Sequence, residues 1–320
     1  MSLARGDSAA GDGPLWISAD AVRRALPMSA SIDVLEETLR AGFDPEQDGE
    51  RSRLHAPAGT LLQMRSANER FLGTKLITLC PGNQGTDRPV IQGVYVLFDG
   101  AGMAPIAVLD GAALTSMRTP AVSGLAARHL SAPGSTRLAL FGTGVQAWGH
   151  VSAMAAVLDL QHVDVIGRTP AAVERLVERI RGAGHSAAAA GPEAVQTADV
   201  IVCATAARQP LFDGDLLQQH ALTVAIGTHE PGDREVDSTV ARRSSVVVES
   251  LGSALREAGD VVIPLTEGVL GEDDLIMLSD VVRGTVTPSL DQPRLFKGTG
   301  MPWEDLAVAG AVTDRVLHSL

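Results

Sequence analysis

The chain has 320 residues, of which 45% are hydrophobic and 20% are charged. At roughly 150 residues per domain this length predicts two domains, and the composition excludes a globally disordered chain. Its 26 basic and 38 acidic residues give a formal net charge of −12, which disfavours a general surface for the phosphates of DNA or RNA.

The first fourteen residues are polar and glycine-rich, and we expect residues 1–14 to form a disordered tail. They lack the apolar segment of a secretion signal, and no later segment approaches the roughly 18 apolar residues of a membrane helix. Cys80 and Cys203 lie far apart and without zinc-binding spacing. We therefore expect a cytoplasmic protein with reduced thiols, no metal site and no membrane contact.

Two helices are predicted first in the chain, over residues 16–26 and 29–43. Ser18 stands where the first helix needs an N-cap, and Ser29 or Ser31 stands there for the second. Residues 51–109 consist of short apolar runs separated by turn residues, which predicts an antiparallel meander. An alanine-rich helix is expected over residues 112–130.

From residue 137 onward, strands and helices alternate. The runs RLALFG, VDVIG, ADVIVCAT, LTVAIG and SSVVVES are apolar without polar alternation, as in parallel strands that are buried on both faces. We predict an α/β protein in which a doubly wound Rossmann-type NAD(P)-binding domain accompanies an α+β substrate and dimerisation domain with a largely antiparallel sheet. We place the substrate domain at residues 15–119 with 302–320, because the last helix is expected to return to it, and the nucleotide domain at residues 120–301.

A glycine-rich turn indicates where a dinucleotide binds. Gly142, Gly144 and Ala147 form a GxGxxA motif that directly follows a predicted strand and directly precedes a helix. The helix N-terminus, with Val145 and Gln146 in its first turn, would present unpaired N–H groups to a diphosphate. The position of this motif between a predicted strand and a predicted helix is stronger evidence for a nucleotide site than the motif itself.

The second strand of this domain bears on the choice of cofactor. Its end carries Gly167, Arg168 and Thr169 and no carboxylate to accept hydrogen bonds from a ribose 2′-hydroxyl. Arg168 can bind a 2′-phosphate, so NADP(H) is favoured while NAD(H) stays possible; alternatively Arg168 is a solvated loop residue near Asp164. Thr205, at the end of a third strand, either reaches the cofactor or serves as a helix cap or turn hydroxyl.

Lysine is rare in this chain: Lys75 and Lys297 are its only lysines. Lys75, Arg53 and Arg118 each lie in or beside an apolar segment of the meander domain. One such cation is weak evidence, but the three form a pattern together with the PGN turn and a dinucleotide fold.

At this point the sequence resembles the ornithine cyclodeaminase and mu-crystallin family. The resemblance covers residues from about 50 to 310 and is most specific in LTSMRT and GTGVQAWGH. The other matching segments are TKLITLCPGN, YVLFDGAGMAPIAVLDGAALTSMRTPAVSGLA, VDVIGRTP, ADVIVCAT, AIGTHEPGDREVDS and LFKGTGMPWEDLAVA.

The resemblance implies roles for individual residues. Arg53, Lys75 and Arg118 would hold the carboxylate of an α-amino or α-imino acid, and Lys75 could also pass a proton. The segments that would line the nicotinamide or its phosphates contain Thr119, Gly227, Lys297 and Gly300. Lys297 is alternatively a surface-loop lysine. The family also implies a homodimer.

One position departs from the cyclodeaminases, which carry an Asp after the strand LTVAIG. Here the matching residue is His229, and with an ordinary pKa near 6.5 it could donate a proton, or it is a solvated loop residue. Which of Glu230, Asp233 and Glu235 faces the site is left open by the sequence.

The main functional hypothesis is an NAD(P)H-dependent reductase of a small cyclic imino acid, of the pyrroline-2-carboxylate or piperideine-2-carboxylate type. Its rivals are an ornithine cyclodeaminase with bound NAD, an alanine dehydrogenase-like enzyme, and a non-catalytic protein that binds NADPH and a small carboxylate. The expected partner is a small amino or imino acid, without nucleic acid.

Overall fold

The computed structural model describes residues 13–83 and 85–319. The predicted tail lies outside the described residues, apart from Gly13 and Pro14. Within the described ranges the strands form two sheets, one of six strands and one of eight.

The first sheet contains the predicted meander. Its strands are β1 (Leu15–Ile17), β2 (Ser52–Ala56), β3 (Gly59–Ala67), β4 (Phe71–Leu79), β5 (Ile91–Asp99) and β6 (Pro105–Asp110). Their order is β1-β6-β5-β4-β3-β2, and neighbouring strands from β2 to β6 pair antiparallel, as predicted.

The prediction that a helix begins at residue 16 is wrong. Leu15–Ile17 instead pairs in parallel with β6, Trp16 lying opposite Val108, because this short segment finds a free sheet edge that local pattern does not reveal. The helix α1 (Ala19–Ala25) follows, capped by Ser18 as expected.

The second helix, α2 (Met28–Arg40), begins directly after Pro27. Neither Ser29 nor Ser31 caps it, so that prediction is also wrong. Both lie inside the first turns, and the Ser31 hydroxyl donates to the carbonyl of Pro27 at 3.2 Å. Together with α3 (Gly111–Leu130) and α10 (Pro302–His318), these helices cover one face of the first sheet.

The second sheet is entirely parallel and has eight strands. They are β7 (Arg137–Phe141), β8 (His162–Ile166), β9 (Ser186–Ala189), β10 (Val200–Cys203), β11 (Leu222–Ala225), β12 (Ser245–Val248), β13 (Leu275–Met277) and β14 (Arg294–Lys297). The order β13-β12-β14-β11-β10-β7-β8-β9 places the glycine-rich turn near its centre and confirms the doubly wound architecture.

The helices of this half connect the strands and pack on the parallel sheet. They are α4 (Val145–Val157), α5 (Pro170–Gly182), α6 (Ser238–Arg243), α7 (Leu251–Glu257), α8 (Gly259–Thr266) and α9 (Leu278–Arg283). None of the helices in the described ranges has the length and apolarity needed to cross a bilayer.

Two helices join the halves of the molecule. α10 returns to pack on α3, β3 and β4, as expected. α3 also packs closely on α4, where a Cβ at Gly149 would lie 2.5 Å from Pro120 Cγ. The predicted domain boundary at residues 119 and 120 falls inside α3, and the division into domains stays a prediction.

The opposite face of the first sheet carries apolar side chains that are exposed or half buried. Trp16, Val108 and Val96 are cross-strand neighbours there, and Trp16 is 58% exposed. Further members are Leu72, Leu76, Val94, Phe98 and Ile106. We call this surface the open face, since alternation places it opposite the helix-covered side.

Candidate active site

The glycine-rich turn has the geometry that the sequence predicts. Gly142 adopts φ 114°, and a Cβ there would lie 2.4 Å from the carbonyl oxygen of Ala204, so a side chain is excluded. A Cβ at Gly144 would meet no atom within 4 Å, and Val145, the first residue of α4, is exposed. An open space therefore faces the N-terminus of a 13-residue helix.

A cavity of about 590 Å³ extends from this turn. Gly142, Arg168 and Thr205 all line it, so three sequence-predicted residues meet. Arg168 is exposed, and Asp164 pairs with Arg137 at 3.0 Å and with His162 at 3.1 Å. Within the described part of the chain, no acidic side chain forms an ion pair with Arg168.

Glu235 holds the loops beside this cavity. Its carboxylate accepts hydrogen bonds from the Thr205 N–H at 2.8 Å, the Thr205 hydroxyl at 2.7 Å and the Gly227 N–H at 2.6 Å. Burial raises the pKa of Glu235. Thr205 therefore both lines the cavity and acts as a turn hydroxyl, whereas Gly227 is needed for close packing, because a Cβ there would lie 1.9 Å from the Thr205 carbonyl oxygen.

The interpretation of Lys297 as a surface-loop lysine is wrong. It ends β14 in the interior of the parallel sheet and is fully buried. Its ammonium lies 2.8 Å from Asp260 and donates to the Thr228 carbonyl at 3.0 Å. Lys297 supports the loop that carries His229, and direct contact with a cofactor stays a prediction.

Lys75 and Arg118 meet at a shared carboxylate. Lys75 on β4 lies 2.7 Å from Asp305 Oδ2, and Arg118 Nε on α3 lies 3.3 Å from Asp305 Oδ1. Arg118 Nη1 also donates to Glu304 at 2.9 Å. Three elements that are distant in sequence thus build one buried ion-pair network.

Each cation of this network keeps bonding capacity. Lys75 Nζ has two hydrogen-bond partners, Asp305 and Thr115, against three N–H donors. Among the residues that the structure describes, Arg118 donates hydrogen bonds through Nε and Nη1 and forms none through Nη2. Both side chains could therefore take a further anionic ligand.

The environment changes the acidity of Lys75. Burial and the charge of Arg118 lower its pKa to about 8, although Asp305 opposes the change. Arg118 responds in the opposite direction: burial disfavours its charge, but Asp305, Glu304 and Glu249 raise its pKa. At neutral pH both are charged, and Lys75 is the group able to release a proton near its operating pH.

Gly300 packs closely against the guanidinium of Arg118. It adopts φ 76°, and a Cβ there would lie 2.4 Å from Arg118 Nη1. Gly300 and Arg51 both line a cavity of about 230 Å³ between the loop at residues 46–51 and α7. The role predicted for Gly300 next to the cofactor stays a prediction, as does that of Thr119, which is half buried beside Arg118.

Arg51 is a cation that sequence reasoning missed. Its guanidinium donates to the carbonyls of Thr299 at 2.8 Å and Gly300 at 3.0 Å and lies 3.0 Å from Glu257. Arg53, the predicted residue, lies on the exposed strand β2 and pairs with Glu230 at 3.1 Å. The structure therefore joins Lys75 and Arg118 through Asp305 and places Arg51 between Glu257 and the carbonyls of Thr299 and Gly300, with Arg53 outside the buried network.

His229 does not have the ordinary pKa that the sequence interpretation assumed. His229 is exposed as a whole residue. Desolvation of its ring by the surrounding protein atoms, and then the charges of Lys297, Arg51, Arg118 and Arg53, hold its pKa well below the usual range. With its pKa below the usual range the imidazole is neutral at pH 7, and a catalytic role for His229 stays a prediction.

The carboxylates of this site were also missed. Glu304 and Asp305 begin α10 and Glu249 directly follows β12, and all three are buried. The available signal was their position: acidic residues within or next to the apolar segments VVVES and MPWEDLAVA are costly unless they are paired.

Comparison with known proteins covers nearly the whole chain. Residues 15–319 match the model of the ornithine cyclodeaminase/mu-crystallin family. The chain is 31% identical over 310 residues to the ketimine reductase mu-crystallin of Mus musculus, covering 94% of this chain and 97% of that protein. It is 32% identical over 317 residues to a Delta(1)-pyrroline-2-carboxylate reductase of Colwellia psychrerythraea, covering 94% and 98%.

A solved structure shares the fold. The Thermococcus litoralis Delta(1)-pyrroline-2-carboxylate reductase, in complex with NADH and L-proline, matches with a TM-score of 0.89 and 26% identity, covering 95% of this chain and 98% of that one.

Proposed function

The chain belongs to the ornithine cyclodeaminase/mu-crystallin family, and on that premise we propose that it reduces a small cyclic imino acid with a nicotinamide cofactor. The substrate would be of the pyrroline-2-carboxylate or piperideine-2-carboxylate type, and the product a proline-like or pipecolate-like amino acid. The observation that carries this proposal is the meeting of Lys75 and Arg118 at Asp305, with Arg118 Nη2 lacking an acceptor among the described residues.

The residues around the glycine-rich turn fit a dinucleotide. Gly144 leaves open space beside a helix N-terminus, and the cavity of about 590 Å³ continues from Gly142 to Arg168. A bound cofactor would supply the hydride that reduces the imine carbon. We favour NADPH because Arg168 is exposed at this cavity and has no acidic partner among the described residues. The 2′-phosphate of NADPH would supply an anionic partner for its guanidinium.

The substrate carboxylate would lie against the guanidinium of Arg118. Charge-assisted hydrogen bonds of this kind are strong in a partly buried site, and they overcome a net negative chain charge because that charge is screened at longer range. Arg51 and Arg53 add positive potential on the side of the domain junction. Lys75 would deliver the proton, since its pKa of about 8 lies close to physiological pH.

His229 supports reduction over cyclodeamination. Loss of ammonia is assisted by a carboxylate at this position in the resembling cyclodeaminases, and this chain has a neutral imidazole there. Reduction of a preformed imine needs no such carboxylate. A neutral His229 can still orient the substrate by a hydrogen bond.

A cofactor-oxidation screen tests the proposed function. Purified protein should oxidise NADPH with pyrroline-2-carboxylate or piperideine-2-carboxylate and should release no ammonia from ornithine or lysine. Ammonia release would identify a cyclodeaminase, and turnover of only linear 2-oxo acids with ammonia would identify an open-chain dehydrogenase. Stabilisation by NADPH without any turnover would identify a binding protein.

Cofactor choice gives a first prediction. Arg168→Ala should raise the KM for NADPH about tenfold, because a charge-assisted hydrogen bond contributes about 1.5 kcal/mol, while the KM for NADH changes little. Arg175→Ala is the matched control, since Arg175 is exposed on the following helix and does not line the cavity. Equal effects on both cofactors would contradict the assignment of Arg168 to the 2′-phosphate.

We further propose that the open face joins two copies of the chain. A contiguous apolar surface on a sheet is costly in water, and self-complementary two-fold pairing would bury it. Val96→Asp introduces a carboxylate in the middle of the open face, and burying that charge between two copies would be unfavourable. The variant should therefore be a monomer where the wild type is a dimer, and light scattering after size-exclusion chromatography measures the molar mass. Val286→Asp, a partly exposed position outside the sheet, should leave the mass unchanged; a Val96→Asp protein that stays dimeric would sink the proposal.

A further inference from the structure

Two buried carboxyl groups lie in the surroundings of Arg118 and Gly300. Glu249, at the end of β12, and Glu304, on α10, are only 2% and 0% exposed. One oxygen of each is satisfied: Glu249 Oε2 accepts from the N–H groups of Thr299 at 2.8 Å and Gly300 at 2.7 Å, and Glu304 Oε2 accepts from Arg118.

The second oxygen of each carboxyl has no donor. Glu249 Oε1 and Glu304 Oε1 are buried and have no hydrogen-bond partner among the described residues. Both carboxyls adjoin Arg118 and Gly300: Glu249 accepts from the Gly300 N–H, Glu304 accepts from Arg118 Nη1, and a Cβ at Gly300 would lie 2.4 Å from that Nη1 atom. Two ionised carboxylates in this arrangement would repel each other without solvent to screen them, and a single proton between them would turn the repulsion into a hydrogen bond.

The charges around Glu304 favour placing the proton on it. Burial and the neighbouring Glu249 raise the pKa of Glu304 well above its ordinary range; Asp305 adds to this, and Arg118 opposes it. Glu249 already accepts two backbone N–H groups on Oε2, so its Oε1 is the atom left to accept a hydrogen bond from Glu304.

We propose that Glu304 is protonated at neutral pH and donates to Glu249, and that this shared proton positions Arg118 for an anionic ligand. The chain of contacts runs from the amides of Thr299 and Gly300 through the two carboxyls to the Arg118 guanidinium. Because Glu249 belongs to the parallel sheet and Glu304 to a helix of the first sheet, the proton also joins the two halves at the site. The positioning role rests on the proposed function, in which Arg118 binds the substrate carboxylate.

The shared proton also balances charge. With Glu304 neutral, the cations Lys75 and Arg118 stand against the anions Asp305 and Glu249. A third ionised carboxylate would make the buried network negative and disfavour the approach of an anionic substrate. Both Glu249 and Glu304 are positioning residues, since they act through Arg118.

Infrared spectroscopy of the full-length protein tests the proton directly. At pH 7 the wild type should show a carbonyl band of a protonated carboxylic acid that E304Q lacks. E249Q should lose the same band, because its amide can donate to an ionised Glu304. E178Q, on an exposed face of α5, should retain it. A wild-type minus E304Q spectrum without such a band overturns the proposal.

Thermal unfolding gives a second, independent readout. A carboxyl that is protonated in the folded protein and has a pKa of about 4.3 when unfolded takes up a proton on folding. Wild-type stability should therefore fall relative to E304Q as pH rises above about 5, until the folded-state pKa is reached. A difference in Tm that stays constant with pH would show that Glu304 titrates alike in both states and would refute the shared proton.

Kinetics test the positioning of Arg118. E304L removes the hydrogen bonds and should raise the KM for the imino acid at least tenfold more than E304Q, which retains the shape and donor of a protonated acid. The kcat should differ far less between the two variants. Equal KM values would overturn the positioning role. Because the infrared and thermal measurements need no substrate, they decide the shared proton separately from the proposed function.

Discussion

Arg118→Met should raise the KM for a cyclic imino acid about 150-fold while kcat changes much less. Removing one partner of a buried, hydrogen-bonded charge pair costs roughly 3 kcal/mol, and every 1.4 kcal/mol corresponds to about tenfold in affinity. The loss falls mainly on KM because the carboxylate contact exists in both the bound substrate and the transition state. Steady-state kinetics with pyrroline-2-carboxylate measure it.

Two controls separate carboxylate binding from damage to the fold. Arg118→Met removes the cation beside Glu304 and leaves Asp305 paired with Lys75 alone, whereas Arg118→Lys keeps a positive charge and should fold normally with a smaller rise in KM. The second control is 1-pyrroline, a substrate analogue without the carboxylate. The wild type should strongly prefer pyrroline-2-carboxylate, and Arg118→Met should not. An undiminished preference in the variant would show that Arg118 is not the carboxylate ligand.

Lys75→Met should lower kcat by about 10²-fold to 10⁴-fold, the usual contribution of a positioned general acid. In the wild type the Lys75 ammonium lies 2.7 Å from Asp305, and Lys75→Arg keeps a positive charge at this position. The guanidinium of the introduced arginine does not release a proton in this pH range. The variant should therefore retain much of the substrate affinity and lose kcat. A fully active Lys75→Arg enzyme would exclude Lys75 as the proton donor.

The pH profile follows from the same residue. Lys75 is protonated below its pKa of about 8 and neutral above it, so kcat/KM for imine reduction should fall as pH rises through about 8. In Lys75→Arg the residual kcat/KM should not show this fall near pH 8. His229 predicts no such fall near pH 6.5, because its pKa is held well below that value; a wild-type activity that falls between pH 6 and 7 would instead assign the proton to His229.

Local patterns were sufficient for much of the fold. Gly142 and Gly144 were readable because a strand, a turn without side chains and a helix follow each other within a few residues. The meander and the apolar strands between β7 and β12 could be predicted from their hydrophobic patterns. Alternating apolar residues indicate a strand that is buried on one face, and a continuous apolar run indicates a strand that is buried on both faces. β14 was missed because charged residues stand at both of its ends, Arg294 and Lys297, and each is buried only through distant partners.

The sequence by itself determined the family resemblance and the glycine-rich turn, and it singled out Lys75 and Arg118, the residues proposed to bind the anionic substrate. Only the tertiary structure decided which groups surround them. Arg51 lies against Glu257 while Arg53 pairs with Glu230, Asp305 joins Lys75 to Arg118, and Glu249 and Glu304 come to lie beside Gly300 and Arg118. The physical reason is that a charge is stabilised or shifted by whatever lies within a few ångströms, and in this site those neighbours come from β4, α3, α10 and the end of β12, whose juxtaposition no local pattern encodes.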